Sequence, residues 1–314
     1  MADRTYDDVT QVPVDDTEDI DRTEVRSYWQ LARRRFVRHR LAVIGAITLA
    51  VLIVAAAVVP LVVENATGVS ISKSFAPAEI VDDEGNLVLA LLGYSRTGIN
   101  MFTQLMAATA TSLMIGFAAV LIIVFIGVVI GAVAGYAGGW VDNVLMRVVD
   151  IALSMPGLFI IIAFVAFWGA SIWTIILAIG ITGWTTAARL VRAEFLSLRE
   201  ADYVQAARAL GASPRRIILR HMLPPALAPI IVAASLGVAD SVVLEAALSF
   251  LGFGIGAEQA SLGTLLNVAF EYLNREPYLV LFPSIVLILI VLAANFLGDG
   301  MRDALDPRQR VEQQ

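Results

Sequence analysis

The sequence predicts an all-α polytopic membrane protein with six transmembrane helices. Of its 314 residues, 58% are hydrophobic and only 16% are charged, and the mean hydropathy is +0.78. A soluble domain of this size needs more polar surface than that composition supplies. The apolar residues also gather in long runs without charge, and about 20 such residues cross the hydrocarbon core of a bilayer as one helix.

The charge-free runs predict where the spans lie. The run from Thr97 to Val141 is too long for one span of about 20 residues, so its first part, to about Ser112, is predicted to be interfacial or an extension. The run from Ile151 to Ala188 holds most of two spans, with a break at 168–171. The fifth span is predicted to start after the Pro224-Pro225 pair. The predicted spans are 41–63, 113–135, 147–167, 171–189, 226–250 and 277–298.

Arginine placement predicts the orientation. Arginines crowd three segments, 26–40, 189–220 and the tail after 298, whereas the loops at 64–100 and 251–276 hold few basic residues. Six spans place all three segments on one side of the membrane. Positively charged loops mark the cytoplasmic side, so both termini are expected there.

The remaining segments divide by composition. Residues 1–25 are acidic and lack apolar periodicity, so we expect them to form a disordered cytoplasmic tail. Residues 26–40 form a basic amphipathic segment that should lie at the membrane interface. The open alternative is that they are an ordinary basic flank of the first span. The full division is a tail at 1–25, an interfacial helix at 26–40, a first span at 41–63, an external loop region at 64–104, a core membrane domain at 105–300 with a loop at 189–223, and a cytoplasmic tail at 301–314.

The loop between the fourth and fifth spans carries the most informative pattern. Residues 201–210 have helical periodicity with small alanines on one face. Gly211 supplies a left-handed stop, and Ser213 can cap a second helix with Pro214 at its first position. A helix–glycine turn–helix with an alanine face and an arginine rim predicts a docking element for another protein.

This loop resembles the EAA loop of ABC importer permeases. The shared order is Gln-Ala-Ala, three residues, Gly, nine residues and His-x-Leu-Pro. Gln205 stands where the motif has Glu, and His221 where it has Ile, which is similar to the peptide-permease version. The resemblance implies that the loop couples the chain to a separate ATPase. The residues expected to do so are Tyr203, Gln205, Ala206, Ala207, Arg208, Leu210, Gly211 and Pro224.

Three further stretches resemble the C-type subunits (DppC/OppC-like) of dipeptide and oligopeptide importers: 135–150, 245–254 and 295–307. The resemblance covers about residues 27–310. It implies the type I ABC importer (MetI-like) permease fold and import of di- or oligopeptides. The implied partners are a second homologous permease subunit (DppB/OppB-like), two ATPase subunits (DppD/DppF-like or OppD-like) that bind ATP and Mg, and an extracytoplasmic substrate-binding protein.

The family resemblance is weaker on the external side. Residues 97–100 lack the usual Gly-Arg-Asp element, and residues 255–263 replace a Pro-rich stretch. Both segments lie where the binding protein docks or substrate enters, so they bear on substrate identity. The candidate binding-protein contacts are Glu258, Gln259, Leu262 and Gly263.

Two carboxylates lie in or near the fifth span, where burial in lipid is costly. Asp240 and Glu245 are therefore candidates to line a translocation path, against the alternative that hydrogen bonds within the bundle satisfy them. Ser154 and Met155 are further candidates for that path. Arg147 and Asp150 are predicted to pair as a structural clamp, and the glycines at 127, 131 and 135 to allow close helix packing, with a gating role as the alternative.

Several function classes are disfavoured. The sequence has no cysteine, which excludes disulfides and thiolate metal sites, and its two histidines suggest no metal motif. The only lysine, Lys73, has no P-loop around it, so no nucleotide site of that type is expected. We also expect no catalytic site, cofactor or nucleic-acid partner for this chain. Import of nickel, glutathione or haem by the same machinery stays an alternative. A stand-alone carrier or channel, or an intramembrane enzyme, is less consistent with the docking loop.

Overall fold

The structure is a computed structural model that describes residues 28–63, 74–76, 79–81, 87–95, 97–255 and 259–305. The predicted tail at 1–25, the last nine positions of the 301–314 tail, Lys73 and Glu258 lie outside the described residues. Helices dominate the described chain, with one short antiparallel hairpin formed by β1 (Glu79–Val81) and β2 (Leu87–Ala90).

The chain begins with two helices joined at one residue. Helix α1 spans Tyr28–Arg38 and α2 spans Arg40–Val62. His39 between them has an extended backbone, and its ring Nδ1 accepts a hydrogen bond from the Ala42 N–H at 3.1 Å. This side chain therefore satisfies one of the N–H groups that a helix start leaves without a partner. Helix α2 occupies the predicted first span.

Helix α3 is longer than the predicted second span. It runs over Met101–Ala137, 37 residues without a break. Its start is set by Asn100, whose side-chain oxygen accepts from the Phe102 and Thr103 N–H groups. The Thr- and Ala-rich stretch before Leu113 is therefore a helical extension, the second of the two predicted alternatives. Gly138, with φ of +65°, ends the helix.

The third predicted span is wrong as a continuous helix over 147–167. Helix α4 covers Gly139–Ser154 and α5 covers Gly157–Trp168, with an 81° bend between them. Met155 has an extended backbone because a following proline, here Pro156, disfavours the helical conformation. Helix α6 then runs over Ile172–Arg199, past the predicted end of the fourth span.

The fifth span starts earlier than predicted. After α7 (Asp202–Ala209), a helical segment begins with α8 (Pro214–Arg216), continues as a π-helical turn over Ile217–Met222 and becomes α9 (Leu223–Phe250). The proline pair does not start the span, because the chain is already helical through the π-helical turn before it. Prolines are tolerated in the first turn of an α-helix, and Pro224 and Pro225 lie in the first turn of α9. Two more helices complete the chain, α10 (Leu262–Phe270) and α11 (Tyr278–Leu305).

The described helices fit the predicted polytopic architecture. Five helical segments are long and apolar enough to cross a membrane, and the bent α4–α5 pair makes a sixth if it counts as one crossing. Long apolar side chains such as Leu121, Phe125 and Leu61 are exposed on the helix surfaces, as expected for a protein that faces lipid.

The centre of the bundle is the contact between α3 and α6, which we call the glycine seam. Gly127, Gly131 and Gly135 of α3 lie against the α6 backbone between Ala187 and Phe195. A Cβ atom at Gly131 would lie 2.5 Å from the Ala188 carbonyl oxygen, so only glycine lets the helices approach this closely. These contacts are the close helix packing that the glycine spacing predicts, and the gating alternative stays a prediction.

Contacts between helix ends define two ends of the bundle. The end that we call the arginine-rich end joins the α1–α2 junction to the end of α11, where His39 Nε2 lies 3.4 Å from an Asp303 carboxylate oxygen. It also holds the ends of α3 and α6 and the α7–α8 connection. The opposite end holds α10 and the starts of α3 and α11.

Candidate docking surface and intramembrane cavity

Helix α7 presents most of its surface to solvent at the arginine-rich end. Tyr203 is 47% exposed and Leu210, just after the helix, is 89% exposed. Gln205, Ala206 and Arg208 are exposed as well, whereas Ala207 is half-buried. We call these six residues the docking surface. Leu210, Tyr203 and Ala206 all expose apolar atoms on and just after one short helix, and exposed apolar patches mark surfaces that another protein covers.

One side of α7 anchors it to the bundle. Val204 is fully buried and packs in a cluster with Phe195 of α6 and with Ile217 and Met222 of the π-helical turn. The Gln205 side-chain amide donates to the Glu200 carbonyl at 3.0 Å. The docking surface is therefore held firmly against both α6 and the start of the fifth span.

An aromatic ring adds to this anchoring. The Arg208 guanidinium lies over the Tyr136 ring at 5.7 Å from its centroid, a distance at which cation–π attraction operates. Tyr136 belongs to the end of α3. The Tyr203 phenol is protonated at neutral pH, as tyrosine ordinarily is, and partial burial raises its pKa further.

The turn after α7 follows the prediction in its backbone. Gly211 has φ of +78°, with open space where a side chain would start. The Ala212 N–H donates back to the Ala207 carbonyl at 3.1 Å, which closes the helix end. The predicted Ser213 side-chain cap is not formed. Instead, the Ser213 carbonyl accepts from the Ile217 N–H at 3.0 Å.

The π-helical turn links this surface to α9. The Leu223 N–H donates to the Ile218 carbonyl, five residues back. Pro224 and Pro225 follow directly, and neither has an N–H to donate to the preceding turn. Pro229 removes a third donor within α9. We call residues 217–229 the hinge segment, because backbone hydrogen bonding is weakest here and π-helical turns often occur at functional sites.

Ion pairs fix α4 to α6. The Asp142 carboxylate accepts two hydrogen bonds from the Arg192 guanidinium, and Asp150 pairs with Arg189 at 2.6 Å. The predicted Arg147–Asp150 clamp is therefore wrong, since Asp150 has its partner on another helix. Asp142 is buried, whereas the Asp150 pair is half exposed on both sides.

A cavity of about 480 Å³, partly open to the surface, lies between α3, α5, α6 and α9. Its walls are mostly aliphatic. The polar residues that line it are Thr182 and Thr186 of α6 and Asp240 and Ser241 of α9. Asp240 is exposed, and among the described lining residues it is the one ionisable group. Asp240, one of the predicted path residues, thus faces this cavity.

Glu245, on the same helix, has a different environment. It is fully buried. The Ser112 hydroxyl of α3 donates to it at 2.8 Å and the Ser249 hydroxyl at 2.7 Å. Ser112 also accepts from the Leu262 N–H at 3.1 Å, so the group ties α3, α9 and α10 together. Its surroundings match the alternative that hydrogen bonds within the bundle satisfy this carboxylate.

The other predicted site residues lie apart from the cavity. Ser154 and Met155 are exposed at the α4–α5 bend, where the Ser154 hydroxyl donates to the Ile151 carbonyl at 2.7 Å. Leu262 and Gly263 are buried at the start of α10. Gln259 is exposed and, with residues such as Thr97 and Gln104, lines a cavity of about 300 Å³ at the opposite end.

Sequence reasoning missed the long-range pairs of this site. Neither the Asp142–Arg192 pair nor the Ser112–Glu245 bond has a local spacing signal, since their partners are separated by 50 and 133 residues. The cavity needs four helices to form. One available signal was the Pro156-Gly157 pair, which marks the bend that brings α5 to the cavity wall.

Comparisons with known proteins match this architecture. The family model described as "binding-protein-dependent transport system inner membrane component" matches residues 127–311. The model described as "N-terminal TM domain of oligopeptide transport permease C" matches residues 27–77. Together these two matches cover the first span, most of the bundle and the docking surface.

Similar curated proteins are transport permeases. The oligopeptide transport system permease protein OppC of Haemophilus influenzae is 36% identical over 91% of this chain and 91% of its own length. The dipeptide permease DppC of Alkalihalophilus pseudofirmus is 36% identical over 90% and 91%. The glutathione permease GsiD of Pectobacterium atrosepticum is 35% identical over 90% and 92%.

A solved structure shares the fold. The methionine ABC transporter MetNI, in an inward-facing conformation, matches with a TM-score of 0.55. The match covers 66% of this chain and 98% of the transporter chain at 19% identity. The likeness therefore establishes the architecture of the bundle and carries no information on substrate.

Proposed function

This chain belongs to the family of binding-protein-dependent transport system inner membrane components, and we propose that it is a transmembrane permease subunit of an ATP-driven importer of di- or oligopeptides. In this role it forms half of a translocation pathway and transmits work from a separate ATPase. The observation that carries the proposal is the docking surface on α7, which is rigidly held yet solvent-exposed.

The ATPase is a partner chain in this proposal. The sequence has no P-loop around its only lysine, so ATP and Mg would be bound by two ATPase subunits that receive the docking surface. The chain itself would be non-catalytic. A second, homologous permease subunit and an extracytoplasmic binding protein complete the assembly.

Orientation follows from the arginines. The arginine-rich end holds Arg33, Arg34, Arg38 and Arg40 near α1 as well as the basic α7–α8 connection. We place this end and both termini in the cytoplasm of a bacterium. Helix α1 would then lie near the anionic cytoplasmic leaflet, where exposed arginines are attracted to lipid headgroups.

Peptides are the proposed substrates because the relatives that match over nine-tenths of the chain include oligopeptide and dipeptide permeases. Glutathione is the second candidate, since a glutathione permease matches almost equally well. Glutathione is itself a tripeptide, so the same pathway chemistry would serve both.

The experiment is reconstitution of the complete complex in proteoliposomes, with ATP-driven uptake of a labelled tripeptide as the readout. Leu210→Asp places a charge at the most exposed apolar position of the docking surface. We expect co-purification of the ATPases and uptake both to fall by about 10-fold or more, as for a central interface residue. Uptake by this chain without ATPases would overturn the proposal.

Ser213→Asp is the matched control. It adds the same charge at a nearby exposed position, where aspartate suits the residue before a helix. We expect ATPase binding to stay within about 2-fold of the unmodified complex, because no apolar contact is removed there. Equal loss in both variants would mean that added charge, not the buried leucine contact, disrupts the complex.

A further inference from the structure

Asp240 differs from every other residue that lines the intramembrane cavity. The walls come from aliphatic residues of α3, α5, α6 and α9, with a few hydroxyl groups. Within the described residues, the Asp240 carboxylate makes no hydrogen bond or ion pair. A carboxylate at membrane depth is expensive without a partner, so water, a cation or a group on the proposed second permease subunit would have to satisfy it.

Glu245 provides the internal contrast. Both acids lie on α9, but Glu245 is sealed in the bundle with two serine hydroxyls donating to it. Its acceptor capacity is used for structure. Asp240 is exposed to the cavity with its acceptor capacity available. The same helix therefore carries one structural carboxylate and one that is positioned to bind a ligand.

The surroundings of Asp240 indicate which cation fits. A divalent metal ion takes six or more oxygen ligands or a set of nitrogen and sulfur ligands. The described residues contain no group of three or more His, Cys, Asp or Glu side chains that could hold one. A single carboxylate in a cavity that also holds a few hydroxyl groups suits an ammonium group instead, because an ammonium has three N–H donors and no acceptor.

We propose that Asp240 binds the ammonium end of the substrate inside the cavity, which for a peptide is its free N-terminal amino group. This inference rests on the proposed peptide-import function and narrows its substrate class. The aliphatic walls would accept side chains of many kinds, since an apolar pocket discriminates weakly between similar groups. A substrate that presents only carboxylates, such as haem, would be repelled by the same site.

The test uses the complete complex in proteoliposomes with a saturating amount of peptide-loaded binding protein. Asp240→Asn keeps the size of the side chain but removes its charge, and Asp240→Glu keeps the charge. We expect uptake of a tripeptide with a free N-terminus to fall about 10-fold in Asp240→Asn, the value typical of a lost charged hydrogen bond. Asp240→Glu should keep at least about half of the rate.

Asp150→Asn is the control, because it removes a carboxylate from outside the cavity. Its uptake should match that of the unmodified complex. Unchanged uptake in Asp240→Asn would overturn the inference, as would equal loss in Asp240→Asn and Asp240→Glu. If the unmodified complex imports no peptide, the proposed function itself fails, which is a different result from a difference between variants.

A second measurement guards against misassembly of the asparagine variant. The chain has no cysteine, so Asp240→Cys gives it one thiol for modification after the complex has formed. A negatively charged methanethiosulfonate adduct should restore uptake to at least about 3-fold above that of a positively charged adduct, because only the former replaces the acceptor. A thiol that never reacts, or equal uptake with both adducts, would contradict the inference.

Discussion

The glycine seam and the hinge segment lie side by side in the bundle and differ in how their backbones are held. In the seam, α3 and α6 touch backbone to backbone at Gly127, Gly131 and Gly135, with every turn of α3 intact. In the hinge segment, a π-helical turn and three prolines interrupt the regular hydrogen bonding. The seam leaves its two backbones little room to move, whereas the hinge segment has fewer regular hydrogen bonds to hold its shape.

This difference suggests how work from an ATPase would travel through the chain. The docking surface is anchored to both regions, through Phe195 on α6 and Met222 in the hinge segment. If α7 is displaced, it pushes against the closely packed α3–α6 pair on one side and against the hinge segment at the start of α9 on the other. We expect α9 to move relative to the α3–α6 pair, and Asp240 lies on that helix beyond the hinge segment.

The largest effect should come from a change in the seam. Gly131→Ala places a methyl group against the Ala188 carbonyl and the Val191 side chain, where backbone atoms cannot yield. We expect a loss of about 3 kcal/mol in the free energy of unfolding, at the upper end for overpacking. Thermal or denaturant unfolding of the purified complex in detergent measures it.

Gly237→Ala is the matched control for the seam. The nearest atom to its new methyl group would be a Val120 side-chain carbon at 3.5 Å, an ordinary contact. Replacing a helical glycine with alanine favours the helix by up to about 1 kcal/mol. If Gly131→Ala and Gly237→Ala lower the free energy of unfolding equally, close backbone packing is not the reason for the loss at Gly131.

The next effect concerns the ion pairs that brace the seam from α4. Asp142→Asn should cost about 2 kcal/mol, because it removes charged hydrogen bonds to a partly buried arginine. Asp150→Asn should cost about 0.5 kcal/mol, because both partners of its pair are 51% exposed and water screens them. Measuring the free energy of unfolding of both variants under the same conditions tests whether Asp142→Asn loses more stability than Asp150→Asn.

The hinge segment should respond with the opposite sign. Replacing Pro224 and Pro225 together with alanine restores two N–H donors, so we expect the unfolding free energy to rise by about 1 kcal/mol. Peptide uptake should nevertheless fall several-fold, since a regular helix bends less readily. A variant that is more stable and transports normally would remove the hinge segment from the mechanism.

The smallest change in stability should come from Gln205 on the docking surface. Gln205→Glu introduces the residue of the family motif but removes the donor to the Glu200 carbonyl. We expect a stability loss of about 0.5 kcal/mol, because the site is exposed. Co-purification of the ATPases should not decrease. Gln205→Ala, which removes the donor without adding charge, separates the two contributions.

Local chemistry explains which parts of this structure could be predicted. The charge-free runs located the spans, and Gly211 located the turn after α7, because hydrophobicity and backbone preference act at short range. The sequence left open whether the stretch before Leu113 is interfacial or a helical extension, and the structure shows the extension, capped by Asn100. The bend at Pro156 was overlooked although its sequence signal was present.

The tertiary partners could not be predicted from one sequence. Arg147 is three residues from Asp150 and was the expected partner, yet Arg189 from α6 takes that place. The environments of Asp240 and Glu245 also depend on helices far away in the chain. Both carboxylates looked alike in sequence, and only the packing of α3 and α10 separates a structural acid from one that faces a cavity.

The bend between α4 and α5 also constrains how the chain enters the membrane during synthesis. Helix α5 has 12 residues and is therefore about 18 Å long, too short to cross a hydrocarbon core of about 30 Å. Gly169–Ser171 form only a tight connection to α6. We therefore expect α5 not to insert into the bilayer by itself. It should insert together with α6, as one helical hairpin, after α6 has been synthesised.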